Sequence, residues 1–235
     1  MRRLREAVSV WLDQTEGGRI TVADKEFSVY MSGVGGQGLV LLSNVIGSAC
    51  ASSGIRAITG EQHGLSQRSG SINVHLRMGE EVRSPLIPIG GADAILALEA
   101  LEALRYIEYL KPGGVVMMNS RIQHPTIETG AHMKDKTAKY MSVEDVKARM
   151  SQVSDKIAVL DALEIAKKAG NPLTENIVML GALSTLEAFP VPEDALKKSI
   201  SENVPKKAVE VNLKAFDLGK KAAHDLLCNI VKCRE

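Results

Sequence analysis

The sequence predicts a three-layer α/β domain: a largely parallel, or mixed, sheet with helices on both faces and a helical C-terminal region. Three observations carry that expectation. From residue 27 onward, short apolar runs alternate with stretches of helical period, as strands and helices do when they follow one another. The run "VVMMN" from Val115 to Asn119 lacks polar alternation, which suits a central strand covered on both faces. Roughly the last 60 residues are largely of helical period, with Pro172, Pro192 and Pro205 marking the breaks between helices.

The elements are expected in the following order. Phe27 to Met31 reads as the first strand and Leu39 to Ser52 as a helix rich in apolar and small residues. Ile55 to Thr59 is a second strand, followed by a polar stretch from Gly60 to Ser71. Ile72 to Met78 alternates Ile72, Val74 and Leu76 against Asn73, His75 and Arg77, a strand with one polar face. Gly79-Glu80-Glu81 then suggests a hairpin turn into Val82. A Pro-punctuated connection leads to a buried strand, Ala94 to Leu98, ending at Glu99. "LEALRYIEYL" is a helix and "KPGG" its stop signal.

The pattern weakens between residues 120 and 155, apart from a helix over 142–150 with Ser142 as N-cap and Asp145 at N3. Ile157 to Leu160 is a strand, and "DALEIAKKAG" a short helix closed by Gly170. Helices follow over Leu173 to Ala188, Glu193 to Asn203 and Lys207 to about Leu227.

Composition narrows the function classes. The 235 residues, 45% of them apolar and 24% charged, suit one sizeable core. We read 27–235 as a single domain behind an N-terminal extension, 1–26, in which Leu4, Val8, Trp11 and Leu12 could share a helix face before Gly17-Gly18. A net charge of +1 and 3% aromatics argue against nucleic acid. No apolar run approaches the ~20 residues of a membrane span. No secretory signal is evident, so a cytoplasmic protein is expected. Cys50, Cys228 and Cys233 show no C-x-x-C spacing and are expected as three reduced thiols, with no metal site.

The stretch "GVGGQG", Gly33 to Gly38, satisfies G-x-G-x-x-G between a strand and a helix. Gly33 would permit a tight turn, Gly35 would let backbone approach a pyrophosphate, and Gly38 would let the helix pack close to the sheet. That is a Rossmann-like arrangement. A close-packed turn with no ligand explains the same glycines. Glu61 lies about 20 residues further on, where a dinucleotide's ribose would want an acid. Glu61, however, opens a polar loop with His63, Gln67, Arg68 and Ser71, more functional groups than a ribose contact needs.

Motifs in fixed order are more specific than any one of them. "GVGGQG", "EQHGLSQRSGS" at 61–71, "HLRMG" at 75–79, "SPLIP" at 84–88, "LALEALEALRYI" at 96–107 and "LKPGG" at 110–114 together resemble the γ-type subunit or domain of the 2-oxoacid:ferredoxin oxidoreductases. Within that family the pattern is most similar to the indolepyruvate-type β subunit. The resemblance runs from about Phe27 to Leu226. Ser69 stands where a glycine is expected, and the first 26 residues exceed the family pattern.

The resemblance implies oxidative decarboxylation of a 2-oxoacid, with coenzyme A taking the acyl group and ferredoxin the electrons. Thiamine diphosphate, Mg²⁺ and iron–sulfur clusters would do the chemistry. This chain carries neither a G-D-G thiamine motif nor a cysteine series, so a larger partner subunit is expected to hold them. What remains for it is to complete the active-site cleft, with His63 and Arg68, and to help bind coenzyme A. Gly33, Gly35, Gly36, Gln37 and Gly38 would contribute, together with Gln67, Arg68, Ser69, Gly70 and Ser71.

Blander readings stand beside these. His63 could be a loop hydrogen-bonder, His75 the polar face of a strand, Arg68 half of a surface ion pair and Glu99 a helix N-cap. His124, His132 and His224 are scattered singly. Two rival functions remain open: a self-contained NAD(P)-dependent oxidoreductase built on Gly33–Gly38 and Glu61, and a non-catalytic assembly module.

Overall fold

The computed structural model describes residues 26–64, 70–123 and 141–234. Six strands form one sheet in the order β2-β3-β1-β4-β5-β6. Strand β1 (Phe27–Val34) is buried along its whole length. It pairs antiparallel with β3 (Ser71–Met78) and parallel with β4 (Ala92–Ala97). Strand β2 (Ala57–His63) continues antiparallel outside β3. On the other side, β5 (Leu110–Asn119) and β6 (Ile157–Leu160) extend the parallel half. The sheet is therefore mixed.

Alternate side chains leave the sheet in opposite directions. Val29, Met31, Leu96 and Met117 face a large aliphatic core shared with α1 (Leu39–Ser52), α4 (Ala162–Ala169), α5 (Glu175–Ser184), α6 (Glu193–Asn203) and α7 (Val209–Leu227). Tyr30, Ile95, Val116 and Met118 face a smaller core under α2 (Ala100–Arg105) and α3 (Val143–Met150). That is the three-layer arrangement expected.

Local signals read from the sequence are often realised. Ser142 accepts from the Asp145 N–H at 3.1 Å while Asp145 accepts from the Ser142 N–H at 2.9 Å, a capping box on α3. Gly170 closes α4 in the left-handed region, at φ 116°. In α5 and α7, Gly181 and Gly219 put two helix backbones in contact. A Cβ on either would lie 2.0 Å from a carbonyl oxygen, Phe216 O or Val178 O respectively.

Other expectations need correction. The second strand runs over Ala57–His63, not Ile55 to Thr59, so Glu61 lies inside it. Gly79 begins a turn, closed by the Val82 N–H on Gly79 O at 3.2 Å, but no strand follows; the hairpin is β2–β3. The helix expected over 101–110 stops at Arg105 because Tyr106 and Tyr109 turn inward. Their rings lie 5.1 and 4.3 Å from that of Tyr30. "KPGG" consequently belongs to the start of β5, not to a helix end. The helix expected over Leu173 to Ala188 is a 3₁₀ turn, Pro172–Thr174, followed by α5, which ends at Ser184.

The three cysteines are not all reduced thiols. Cys228 and Cys233 form a disulfide with Cα atoms 5.5 Å apart, leaving Cys50 free and buried. The chain turns back after α7, which brings Cys233 opposite Leu186 in an isolated antiparallel bridge. Residues 1–25, 65–69 and 124–140 are outside the described residues, and with them the N-terminal helix face, His124 and His132. Among the described residues no helix is long and apolar enough to cross a membrane, and no group of three or more His, Cys, Asp or Glu could hold a metal ion.

Candidate functional site

The glycine loop lies at the carboxyl end of β1, where parallel sheets place ligands. Gly33 is the strand's penultimate residue, with no room for a side chain: a Cβ there would lie 2.7 Å from Gln37 Oε1 and 3.2 Å from Leu98 Cβ. The turn is held by Gln37, whose Oε1 accepts the Val34 N–H at 2.8 Å and whose own N–H donates to Val34 O at 3.2 Å. Gly36 adopts φ 92° with nothing within 4 Å of where a Cβ would be.

Gly38 is the N-cap of α1, at φ 85°. Its close neighbour is the Asn176 side chain, which donates to Gly38 O at 3.3 Å, rather than the sheet. No side chain caps α1 and its first turn carries no acid, so the positive end of a 14-residue helix is left without a side-chain acceptor.

A cavity of about 340 Å³ opens beside this turn. Gly35, Gly36 and Gln37 form one wall, while Asn119, Arg121 and Glu175 form another. Glu175 accepts from Asn119 Nδ2 at 2.9 Å and from Arg121 at 2.8 Å, so the cation is already balanced by a carboxylate. Asn119 also accepts the Ala162 N–H at 3.1 Å, tying β5 to α4. Sequence reasoning missed this trio. The usable signal was a polar residue ending a central strand, opposite an acid just after Pro172.

The second loop is fastened to the first. Gly35 N–H donates to Gly70 O at 2.9 Å, and Gly64 N–H to Ser71 O at 3.1 Å. The Ser71 hydroxyl donates to Glu102 at 2.5 Å and lies 2.9 Å from the Tyr106 hydroxyl. Ser71 is thus engaged with a carboxylate and a phenol. Gln67, Arg68 and Ser69 lie outside the described residues.

His63 ends β2, exposed, opposite Ile72, which is itself opposite Gly33. Glu61 is exposed on β2, two strands from β1. A dinucleotide fingerprint needs its acid on the strand adjacent to the glycine turn, and here β3 intervenes.

Glu99 is 1% exposed and caps α2, accepting the Glu102 N–H at 2.7 Å and the Gln123 N–H at 2.8 Å. Desolvation raises its pKa, against the pull of those bonds. His75 is buried rather than surface-polar. Its Nδ1 accepts the Ile87 N–H at 3.0 Å, its rings neighbour Tyr30 and Tyr109, and burial lowers its pKa. His224 is exposed near the end of α7.

A mixed sheet with a glycine turn at its carboxyl end, covered by helices on both faces, defines an α/β domain. Comparison with known proteins agrees. The sequence profile described as pyruvate ferredoxin/flavodoxin oxidoreductase matches residues 28–222, and the chain belongs to that family. An indolepyruvate oxidoreductase subunit, IorB, of Pyrococcus horikoshii is 42% identical over 204 residues, covering 86% of this chain and 98% of the relative.

Among solved structures, the γ subunit of a keto/oxoacid ferredoxin oxidoreductase from Geobacter sulfurreducens matches with TM-score 0.63 at 24% identity. That match covers 86% of this chain and 99% of the other. A 2-oxoglutarate:ferredoxin oxidoreductase from Magnetococcus marinus, with 2-oxoglutarate, coenzyme A and succinyl-CoA bound, matches with TM-score 0.64 at 21% identity. There 90% of this chain corresponds to 33% of the other. Both share the fold.

Proposed function

We propose that this chain is a non-autonomous subunit of a thiamine diphosphate-dependent 2-oxoacid:ferredoxin oxidoreductase acting on indolepyruvate or another aryl 2-oxoacid. The carrying observation is the 42% identity to an indolepyruvate oxidoreductase subunit across 98% of that relative's length. A larger partner subunit supplies thiamine diphosphate, Mg²⁺ and the iron–sulfur clusters, and ferredoxin takes electrons through the complex. On this reading the protein works in the cytoplasm, and the isolated chain has no 2-oxoacid oxidoreductase activity.

This chain's own part is to close the cleft and hold coenzyme A. The uncapped start of α1 and the Gly35–Gly70 bond, which keeps two glycine-containing loops side by side, support that role. The helix start offers backbone N–H groups and positive potential suited to phosphate, and the Gly35–Gly70 bond holds the second loop beside it. Arg68, between Gln67 and Ser69-Gly70-Ser71 in sequence, is the residue we assign to a coenzyme A phosphate, with His63 at the cleft's edge. A guanidinium can bind phosphate through two parallel hydrogen bonds, which lysine cannot reproduce.

The test is steady-state kinetics of the complex reconstituted with its partner subunit. Arg68→Ala should raise the Michaelis constant for coenzyme A by about 10-fold or more, equivalent to at least ~1.4 kcal/mol of binding. Arg68→Lys should restore only part of it, and the 2-oxoacid constant should move much less. A change in the 2-oxoacid constant alone would assign Arg68 to the substrate carboxylate. No change in either would return it to an ordinary ion pair.

A further inference from the structure

We propose that Cys228–Cys233 is a thiol–disulfide exchange site for a dithiol reductant, and that its reduction releases residues 229–234 from the segment they cover. The location is accessible. Both cysteines are half-buried, and they border an open cleft of about 670 Å³ with His224, Lys232 and Arg234. Lys232 and Arg234 favour thiolate over thiol and so assist exchange, against the carboxylate of Asp225 in the same lining. Cys50 is a contrast within the same chain. It is fully buried in the large core, and desolvation pushes its thiol up to about 12. It is therefore inert towards the same reagent.

The disulfide fastens the far end of the tail to α7, whose last residue, Leu227, also accepts the Ile230 and Val231 N–H groups at 2.8 and 2.9 Å. On its other side the tail is held by hydrogen bonds and one surface ion pair. Arg234 N–H donates to Thr185 O at 2.8 Å and Glu187 N–H to Lys232 O at 3.2 Å, flanking the Leu186–Cys233 bridge. The Arg234 guanidinium donates to Val191 O at 2.7 Å, and Lys232 pairs with Glu187 at 3.1 Å. Such a short, partly exposed ladder opens readily once its covalent anchor is gone.

The chemistry balances without any other component. A thiolate of the dithiol attacks one sulfur, the Cys228–Cys233 bond breaks and a mixed disulfide forms. The reductant's second thiol resolves it. Two electrons and two protons pass to the cysteines, which end as thiols, and the reductant leaves as its own disulfide.

The released segment has a second neighbour. Ile230, Val231 and Arg234 form part of the wall of another cavity of about 670 Å³, with Phe27 and Phe189, at the amino ends of β1 and β4. The redox state of the pair therefore decides whether the tail's part of that wall is in place.

The experiment uses the full chain, oxidised or treated with dithiothreitol, and reads native thiol content together with amide hydrogen exchange. No thiol should react in the oxidised native protein and two after reduction, with the third appearing only in denaturant. Exchange in residues 185–191 and 229–234 should rise by about 10-fold or more on reduction. Cys233→Ser should show the fast exchange without reductant. Three reactive thiols in the oxidised, denatured protein, or equal exchange in both redox states, would overturn the proposal.

Discussion

The two faces of the sheet are built from different material. The face towards α1 and α4–α7 is dry and aliphatic, sealed by five helices, two of which touch backbone to backbone. Among the described residues, the opposite face is covered by one six-residue helix, one eight-residue helix, the 3₁₀ turn Ile107–Tyr109 and the Pro85–Ile87 connection. Beneath that thin cover lie His75, Asn73 and Ser32, whose Nε2, Oδ1 and Oγ are buried without a hydrogen-bond partner. Buried polar atoms left in that state reduce stability, and they cluster on the face that also anchors Ser71 and the second loop. The thick face supplies stability, whereas the thin face buries polar side chains at its expense.

The sharpest way to break that contrast is to force the thick face apart. Gly219→Ala would gain roughly 1 kcal/mol of helix propensity, but its Cβ would sit against Val178 O. We expect a net loss of about 3 kcal/mol in chemical denaturation, since rigid backbone must move. An unchanged midpoint would mean that α5 and α7 are not in contact.

Met117 and Met118 test the two faces from adjacent positions on β5, both fully buried. Met117→Ala should lose about 4 kcal/mol and Met118→Ala about 2, because a thin cover can collapse onto the vacancy while five packed helices cannot. Equal losses would erase the distinction.

Acid should find the thin face first. His75 accepts the Ile87 N–H, so its ring is neutral with the proton on Nε2, and burial lowers its pKa below 6.5. The unfolded chain then binds this proton more readily. Stability should be complete above pH 6.5 and decline as pH falls below it, by at most ~1.4 kcal/mol per pH unit from this group. Urea midpoints across pH 5 to 7.5 check this, and His75→Gln should flatten that component.

The smallest expected effect has the opposite sign. Gly47, within α1, has nothing within 4 Å of where a Cβ would be. Gly47→Ala should therefore stabilise by roughly 0.5–1 kcal/mol, readable as a small rise in melting temperature.

What the sequence disclosed follows the same division. The thick face was legible because helix periodicity, the Gly170 stop and the prolines are local signals. β2 was misplaced because an edge strand exposed at Glu61, Gln62 and His63 needs no apolar alternation, so "GEQH" reads as loop. Nothing local says that β3 runs antiparallel between β2 and β1, which removes Glu61 from the glycine turn. Tyr106 and Tyr109 fit a helix pattern equally well; only the presence of Tyr30 beneath them ends α2. The glycine turn was visible as a motif, but its retention by Gln37 and Asn176 was not, since Asn176 is remote in sequence.

The strand order also sets a timetable for a chain that grows from its N-terminus. By the time Met78 has emerged, β1, β3 and β2 can already form a three-stranded antiparallel sheet, complete except along one side. That side is the open edge of β1, the most apolar strand of the three, and it stays a template for unwanted pairing until β4 is synthesised. β4, β5 and β6 then add outward in the order in which they leave the ribosome, each covering the edge of the one before. The vulnerable interval during synthesis is therefore the stretch between Gly79 and Ala97.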